Sequence, residues 1–365
     1  MSSSKISTIE AISIVLTIFV AHTLVTLPRN LLVSTKSSTI INLIFVSIIA
    51  IIFTLIIYKL LKSFGSNDII DISQYLGGPL FKKIIGIIFI SYFIFSASTL
   101  LRNFCECLKI VYYPMTSLMF IILAFIIAIS IANKFEFETS AKVSLIILPF
   151  VLFTILFIFF ANFKNFNINN IFPILGDGLF NTFVTGIGNL AAFGGIEILY
   201  FLPPYLKEPK DFKKISMYSI GIACIYLLLC VSTLLFMFSF LVEVDEIMPL
   251  YSAARYIEFG NFFQRLESSF LLIWIMSITC YLSISLRLSM SIFKKITNIK
   301  QEKNLTLVFS FLIFSIALLP KNYAISSFLE SSVYHYLVLG IAFVLSFIIL
   351  LLAHIKKKRL GVSNE

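Results

Sequence analysis

Apolar stretches long enough to cross a lipid bilayer recur along this 365-residue chain. Residues 39–61, "TIINLIFVSIIAIIFTLIIYKLL", carry no charge before Lys59. About 20 such residues in a helix cover the ~30 Å of hydrocarbon in a bilayer. Runs of this kind, bounded by charge clusters or by Pro, Gly and Asn, fall near 9–33, 39–61, 84–108, 114–133, 141–161, 180–203, 215–242, 267–292, 305–320 and 333–355. Ten spans are expected. With 59% hydrophobic and only 13% charged residues, the chain has too little polar surface to cover a single water-soluble core. The expected fold class is therefore an all-α integral membrane protein. Nearly every helix face is apolar, so the 3.6-residue period carries little information here.

The longest connections, 62–83 and 243–266, leave no room for a soluble domain between spans, so residues 1–365 are expected to form one polytopic membrane domain. The opening "MSSSKISTIEAISIVLTIFV" has no small-residue cleavage site after a short apolar region, and the first span is expected to stay in the mature chain. Basic residues are retained on the cytoplasmic side. Lys5, the lysines between the even-numbered spans and those following them (among them Lys59, Lys62, Lys207, Lys210, Lys294 and Lys300) and the tail Lys356–Arg359 place 19 of the 28 basic residues on one side. Both termini are thus expected in the cytoplasm. The net charge of +10 is accounted for by this bias, with attraction to anionic lipid as a by-product, and requires no nucleic acid.

Catalytic patterns are missing from the sequence. There is no Gly-rich phosphate loop and no nucleophile elbow, and the three histidines, His22, His335 and His354, stand at no ligand spacing from one another. The five cysteines all lie in expected spans, and Cys105 and Cys107 point to different helix faces, so neither a disulfide nor a metal site is expected. No enzyme activity and no cofactor are expected, which leaves transport or ligand sensing.

The stretch "FGGIEILYFLPPYLK" (193–207) sets a carboxylate, Glu197, two residues after a glycine pair in an apolar run. An ionised side chain in mid-bilayer costs roughly 2.5–3.5 kcal/mol even on lenient insertion scales, so something must compensate it. "FVAHTLVTLPRNLL" (19–32) in the first span parallels "FGGIEILYFLPPYL" (193–206) in the sixth, each running from a Phe through a weakened segment toward Pro28 or Pro203. Interrupted helices at corresponding places in two halves mark the binding site of repeat-built transporters, where freed backbone groups meet substrate and ions. Gly194 and Gly195 permit the backbone to leave helical geometry. On this reading Ala21, His22, Thr23, Gly194, Gly195 and Glu197 border a substrate site. The alternative is that the glycines allow close helix packing and Glu197 hydrogen-bonds a neighbouring helix.

Two further stretches, "SASTLLRNFCECLKIVYYPMTS" (96–117) and "MPLYSAARYIEFGNFFQRLESSFLLIWIM" (248–276), together with "ISTIEA" at the start and "FLPPYLKEPKDFKK" after span six, resemble the spore germination permease family. Its members are the integral-membrane B-subunits of nutrient germinant receptors, within the amino acid, polyamine and organocation transporter superfamily. Arg102, Phe104 and Glu106, then Pro114 and Thr116, match its third-span pattern, and Pro249, Arg255, Gly260, Arg265, Glu267 and Trp274 match its series around span eight. Glu10 stands where the family often has Gln, and Ala21 and Thr23 stand where related proteins often have glycines. The resemblance implies a LeuT-like bundle of five plus five inverted-repeat helices with helices 1 and 6 interrupted. It further implies a small nutrient ligand such as an amino acid, A- and C-type receptor subunits as partners, and the spore inner membrane as location. A proton- or cation-coupled permease of the same fold, or a membrane scaffold without a ligand, are the alternatives.

Arg102 with Glu106, and Arg265 with Glu267, are expected to be structural or coupling residues that keep charge tolerable in lipid. His22 is either a hydrogen-bonded interior histidine or a proton switch. Thr279 and Ser283, four residues apart, either offer hydroxyls to a ligand or bond their own helix carbonyls.

Overall fold

The computed structural model describes residues 5–23, 25–238, 248–258, 267–299 and 305–360. Helix α1 (Thr8–Thr23) begins at a capping box: Glu10 accepts the Ser7 amide at 2.7 Å, and the Ser7 hydroxyl oxygen lies 3.4 Å from the Glu10 amide it accepts. A capping box takes Glu or Gln equally, which gives Glu10 a local reason. Just before it, Ile6 pairs with the segment that follows residue 200, accepting from Lys207 and donating to Tyr205, while Thr8 donates to Asp211. The start of α1 is thereby tied to the end of the glycine-containing stretch.

The remaining helices are α2 (Leu27–Thr35), α3 (Thr39–Lys62), α4 (Ile69–Val111), α5 (Leu118–Ala132), α6 (Phe137–Ala161), α7 (Phe212–Met237), α8 (Pro249–Arg255), α9 (Glu267–Thr297), α10 (Leu305–Leu318) and α11 (Tyr323–Arg359). Among the described residues the secondary structure is helical apart from the isolated bridge between Ile6 and Leu206. Six helical stretches are long and apolar enough to cross a membrane: Leu27–Lys62, which bends at Lys36, then α4, α6, α7, α9 and α11. Three shorter apolar helices, α1, α5 and α10, accompany them. Large apolar side chains such as Phe150, Phe153, Phe160 and Phe311 remain exposed on the outside, as lipid contact requires. This is a membrane protein.

Local chemistry fixes the element ends. Asp68 caps α4 by accepting from the amides of Ile70 and Asp71 at 3.1 and 3.0 Å. Lys295 near the end of α9 then bridges Asp68 at 2.6 Å and Asp71 at 2.7 Å, which ties the beginning of α4 to the end of α9. Burial pushes the Asp68 carboxyl up to about 6 despite the ammonium beside it. Inside α4 the backbone breaks at Gly78 (φ 78°) ahead of Pro79, so the expected third span, 84–108, is the apolar part of a longer, kinked element.

Two further elements differ from the sequence expectation. Residues 180–203 form no α-helix; they run as a wide turn at Phe180–Val184 and tight 3₁₀ turns at Thr185–Phe193 and Ile196–Tyr200. Gly186, Gly188, Gly194 and Gly195 weaken helix formation there, and side chains replace the missing ladder bonds. Asn42 on α3 donates to the carbonyls of Thr182 (2.8 Å) and Gly186 (2.9 Å) and accepts from the Asn189 amide (2.7 Å). The last span, expected from 333, starts at Tyr323, because Asn322 caps it through the Ile325 amide at 3.0 Å. That shift brings Glu330 inside the bundle.

Helix α1 is the centre of the packing. It is buried along nearly its whole length and packs against α6, α7 and α9, while α4 lies along α9.

Candidate functional site

The glycine pair packs against α1 at Phe19, about one turn before the helix ends. Helix α1 ends with the Thr23 hydroxyl donating to the Val20 carbonyl at 2.6 Å, and α2 opens at Leu27–Pro28 without a side-chain cap from Thr26. Opposite, Gly195 has φ 122°, a backbone state that a side chain disfavours. A Cβ built there would stand 3.2 Å from the Phe19 ring of α1, and one on Gly194 would stand 2.8 Å from the Tyr334 hydroxyl of α11. Phe19 and Phe193 meet edge to face at 6.2 Å. Both glycines are therefore required by close approach, one to α1 and one to α11.

Glu197 is 3% exposed. Its carboxylate accepts from the Gly195 amide at 2.7 Å and from the Tyr92 hydroxyl of α4 at 3.0 Å. The Gly194 amide donates to the Ala191 carbonyl at 2.9 Å. The break was expected to leave these amides open; instead the chain's own carboxylate occupies the Gly195 amide. Two hydrogen bonds offset part of the cost of burying Glu197. The consequence is electrostatic, because the break presents an acid where a free amide was expected.

His22 lies between the rings of Tyr334, stacked at 4.5 Å, and Tyr281, edge-on at 5.0 Å. Tyr334 in turn stacks on Tyr92 at 6.2 Å, so an aromatic column runs from His22 toward Glu197. On the other side, His22 Nδ1 lies 3.5 Å from Glu330 Oε1. Glu330 also receives the Asn103 side-chain amide of α4, and the Ser326 hydroxyl donates to the Asn103 oxygen. Tyr92, Asn103, Tyr281, Glu330 and Tyr334 were not singled out from the sequence. The signal for the last two was the pair of polar residues four apart in "LESSVYHYL" (329–337), which fall on one helix face once the helix starts early. Among the described residues no group of three or more His, Cys, Asp and Glu is placed to hold a metal, and the five cysteines are free and buried.

The family model for spore germination proteins matches residues 5–326. The chain belongs to this family. Three of its relatives are spore germination protein YndE of Bacillus subtilis (strain 168), 26% identical over 88% of this chain and 88% of the relative; spore germination protein A2 of the same organism, 28% identical over 74% and 75%; and spore germination protein GerQB of Bacillus cereus, 26% identical over 70% and 71%. The fold is similar to the inward facing conformation of Mhp1, a LeuT-type fold, with a TM-score of 0.58 over 96% of this chain and 74% of that one at 11% sequence identity.

In this member of the family, the other residues selected from the sequence divide by place. Ala21 is buried beside His22 on α1. Arg102 donates to Glu106 at 3.1 and 2.8 Å and to the Ala317 carbonyl of α10 at 3.1 Å, so the pair neutralises itself and braces α4 on α10 away from the break. Glu267 is buried at the start of α9 and borders a cavity with Tyr251 and Arg255, while Arg265 lies outside the described residues. The Thr279 hydroxyl donates to its own helix at Ile275 and faces a groove with Tyr113 and Phe120, and Ser283 accepts from Asn133 at 3.0 Å. Those two hydroxyls are engaged elsewhere and do not join the Glu197 centre.

Proposed function

We propose that this chain is the ligand-recognition subunit of a spore germinant receptor, which binds an amino acid or a similarly small polar nutrient between its two interrupted segments. The reading takes the chain as one polytopic domain of ten crossings, five plus five in inverted repeat, with both termini in the cytoplasm and the spore inner membrane as its place. The observation that carries it is the close approach of Gly195 to Phe19 of α1, ahead of the α1–α2 interruption, beside a buried Glu197 that holds the Gly195 amide. Ala21, His22, Thr23, Gly194, Gly195 and Glu197 border the site. The ligand's carboxylate sits at the uncapped start of α2, where a helix N-terminus offers partial positive charge. Binding then shifts the bundle toward whichever arrangement holds the ligand more tightly. A- and C-type subunits relay that shift, and Arg102 with Glu106 keeps α4 in register on α10 while it occurs. Membership of the germination family and likeness to relatives named as germination proteins support the receptor role.

A proton- or cation-coupled permease with the same site is the second reading. It is favoured by the buried titratable pair His22–Glu330 next to the interruption. Spores that carry this chain with, and without, its A- and C-type partners separate the two. A nutrient response that requires the partners is expected. Full germination by the chain alone contradicts the receptor role, and uptake of labelled amino acid into vesicles that contain only this chain identifies a permease.

A further inference from the structure

Next to the interruption of α1 lies a polar centre with unmet hydrogen-bonding capacity. His22 and Glu330 are each 4% exposed and Tyr334 is 7% exposed. One oxygen of Glu330 is engaged by Asn103. The other, Oε1, has no hydrogen-bond partner, nor do the two ring nitrogens of His22 or the hydroxyl of Tyr334. The 3.5 Å between His22 Nδ1 and Glu330 Oε1 is too long for a good hydrogen bond. All three side chains border one cavity of about 20 Å³, whose remaining wall includes Thr26 and Asn30 at the start of α2. Buried polar atoms are rarely left without partners. Four such atoms belong to these three residues that border this cavity.

The chemistry of an occupant follows from the walls. The Glu330 carboxylate oxygen accepts only, the Tyr334 hydroxyl oxygen and one His22 nitrogen can also accept, and His335 is the one further basic side chain on the wall, with no Lys or Arg. A water brings two donors and two acceptors, whereas a primary ammonium brings three donors and the positive charge that a buried carboxylate requires. The stacked His22 and Tyr334 rings, with Tyr281 edge-on, add aromatic surface of the kind that attracts cations. The volume admits a group the size of a water molecule, which an ammonium is.

We propose that this cavity is the subsite for the ligand's primary ammonium group, with Glu330 as its counter-charge and Tyr334 and His22 as its further acceptors. The inference rests on the core ligand site proposed above and deepens it. The start of α2 takes the anionic end of the ligand and Glu330 takes the cationic end, so the receptor selects free amines over N-acylated or purely anionic nutrients.

The test uses the full chain purified into lipid nanodiscs, with methylammonium chloride as the probe and choline chloride at equal ionic strength as the control. A probe of so few atoms binds weakly, so the titration extends to ~100 mM. Methylammonium is expected to raise the thermal midpoint, and choline, which has no N–H donor, is not. Glu330→Gln keeps the shape of the side chain and should weaken the methylammonium effect at least about tenfold. Tyr334→Phe keeps the ring and its stacking on His22 and should weaken the effect several-fold at an unchanged starting midpoint. Equal responses in wild type and Glu330→Gln, or no response in wild type, overturn the proposal. So does a pH-dependent midpoint that vanishes in Glu330→Gln without any methylammonium effect, which assigns the centre to a proton. An amino acid that stabilises wild type and Glu330→Gln alike rejects the ammonium subsite but leaves the core ligand site standing; an amino acid effect absent from wild type rejects the core site itself.

Discussion

Spores that carry Gly195→Leu lose the nutrient response. The position has φ 122°, and forcing a side chain into such a state costs of order 1–3 kcal/mol. A Cβ there would also stand 3.2 Å from two atoms of the Phe19 ring, which is itself fully buried. Relief by backbone rotation would break the 2.7 Å bond from the Gly195 amide to Glu197 and leave a buried carboxylate short of a donor. Each escape therefore disturbs the junction between α1 and the glycine stretch. The checks are a germination dose response and an immunoblot of spore membranes: the protein is expected at a reduced level, with no response at any nutrient concentration. A normal dose response in Gly195→Leu spores would show that the junction is irrelevant to signalling.

Glu197→Gln separates charge from shape. The Gln carbonyl still accepts the Gly195 amide, and the Tyr92 hydroxyl rotates to accept from the new NH₂, so the hydrogen-bond count is kept. What is lost is the negative charge beside His22 and the charge-assisted strength of both bonds. Hydrogen bonds to charged groups contribute about 1.5–3 kcal/mol. The nutrient concentration for half-maximal germination should therefore rise about ten- to a hundredfold at an unchanged protein level. An unchanged dose response identifies Glu197 as a cap for the Gly195 amide and nothing more. Glu197→Leu makes the contrast, because it strands the amide and the Tyr92 hydroxyl at about 1–3 kcal/mol each and should lower the protein level itself.

The membrane character and the place of the break were legible because each rests on residues adjacent in sequence. A 20-residue apolar run and a Gly-Gly-x-Glu cluster carry their meaning locally, as does the four-residue spacing of Arg102 and Glu106. What fills the break was not legible. Glycine at 195 announces conformational freedom, but the identity of its partner depends on Glu197 turning back two residues instead of reaching across the bundle. Glu330 was hidden by a boundary. The polar residues of "NYAISSFLESSVYHYL" (322–337) resemble a loop by hydropathy, yet Ser326, Glu330 and Tyr334 form one buried face of a helix capped by Asn322. The partners of Tyr92 and Asn103 lie 105 and 227 residues away, a pairing that only the packed bundle defines. Thr279 and Ser283 show the opposite failure, since a spacing that fits one helix face says nothing about what that face meets.

The central claim is that the junction of the two interrupted segments holds a small nutrient. Its most direct test is the thermal midpoint of the purified chain in nanodiscs against a panel of free amino acids. A ligand at a hundred times its dissociation constant stabilises the state that binds it by about 2.7 kcal/mol. At least one amino acid is predicted to raise the midpoint of wild type, and the same amino acid is predicted to leave Gly195→Leu unmoved. A panel in which none shifts wild type, or in which the shift survives unchanged in Gly195→Leu, contradicts the account.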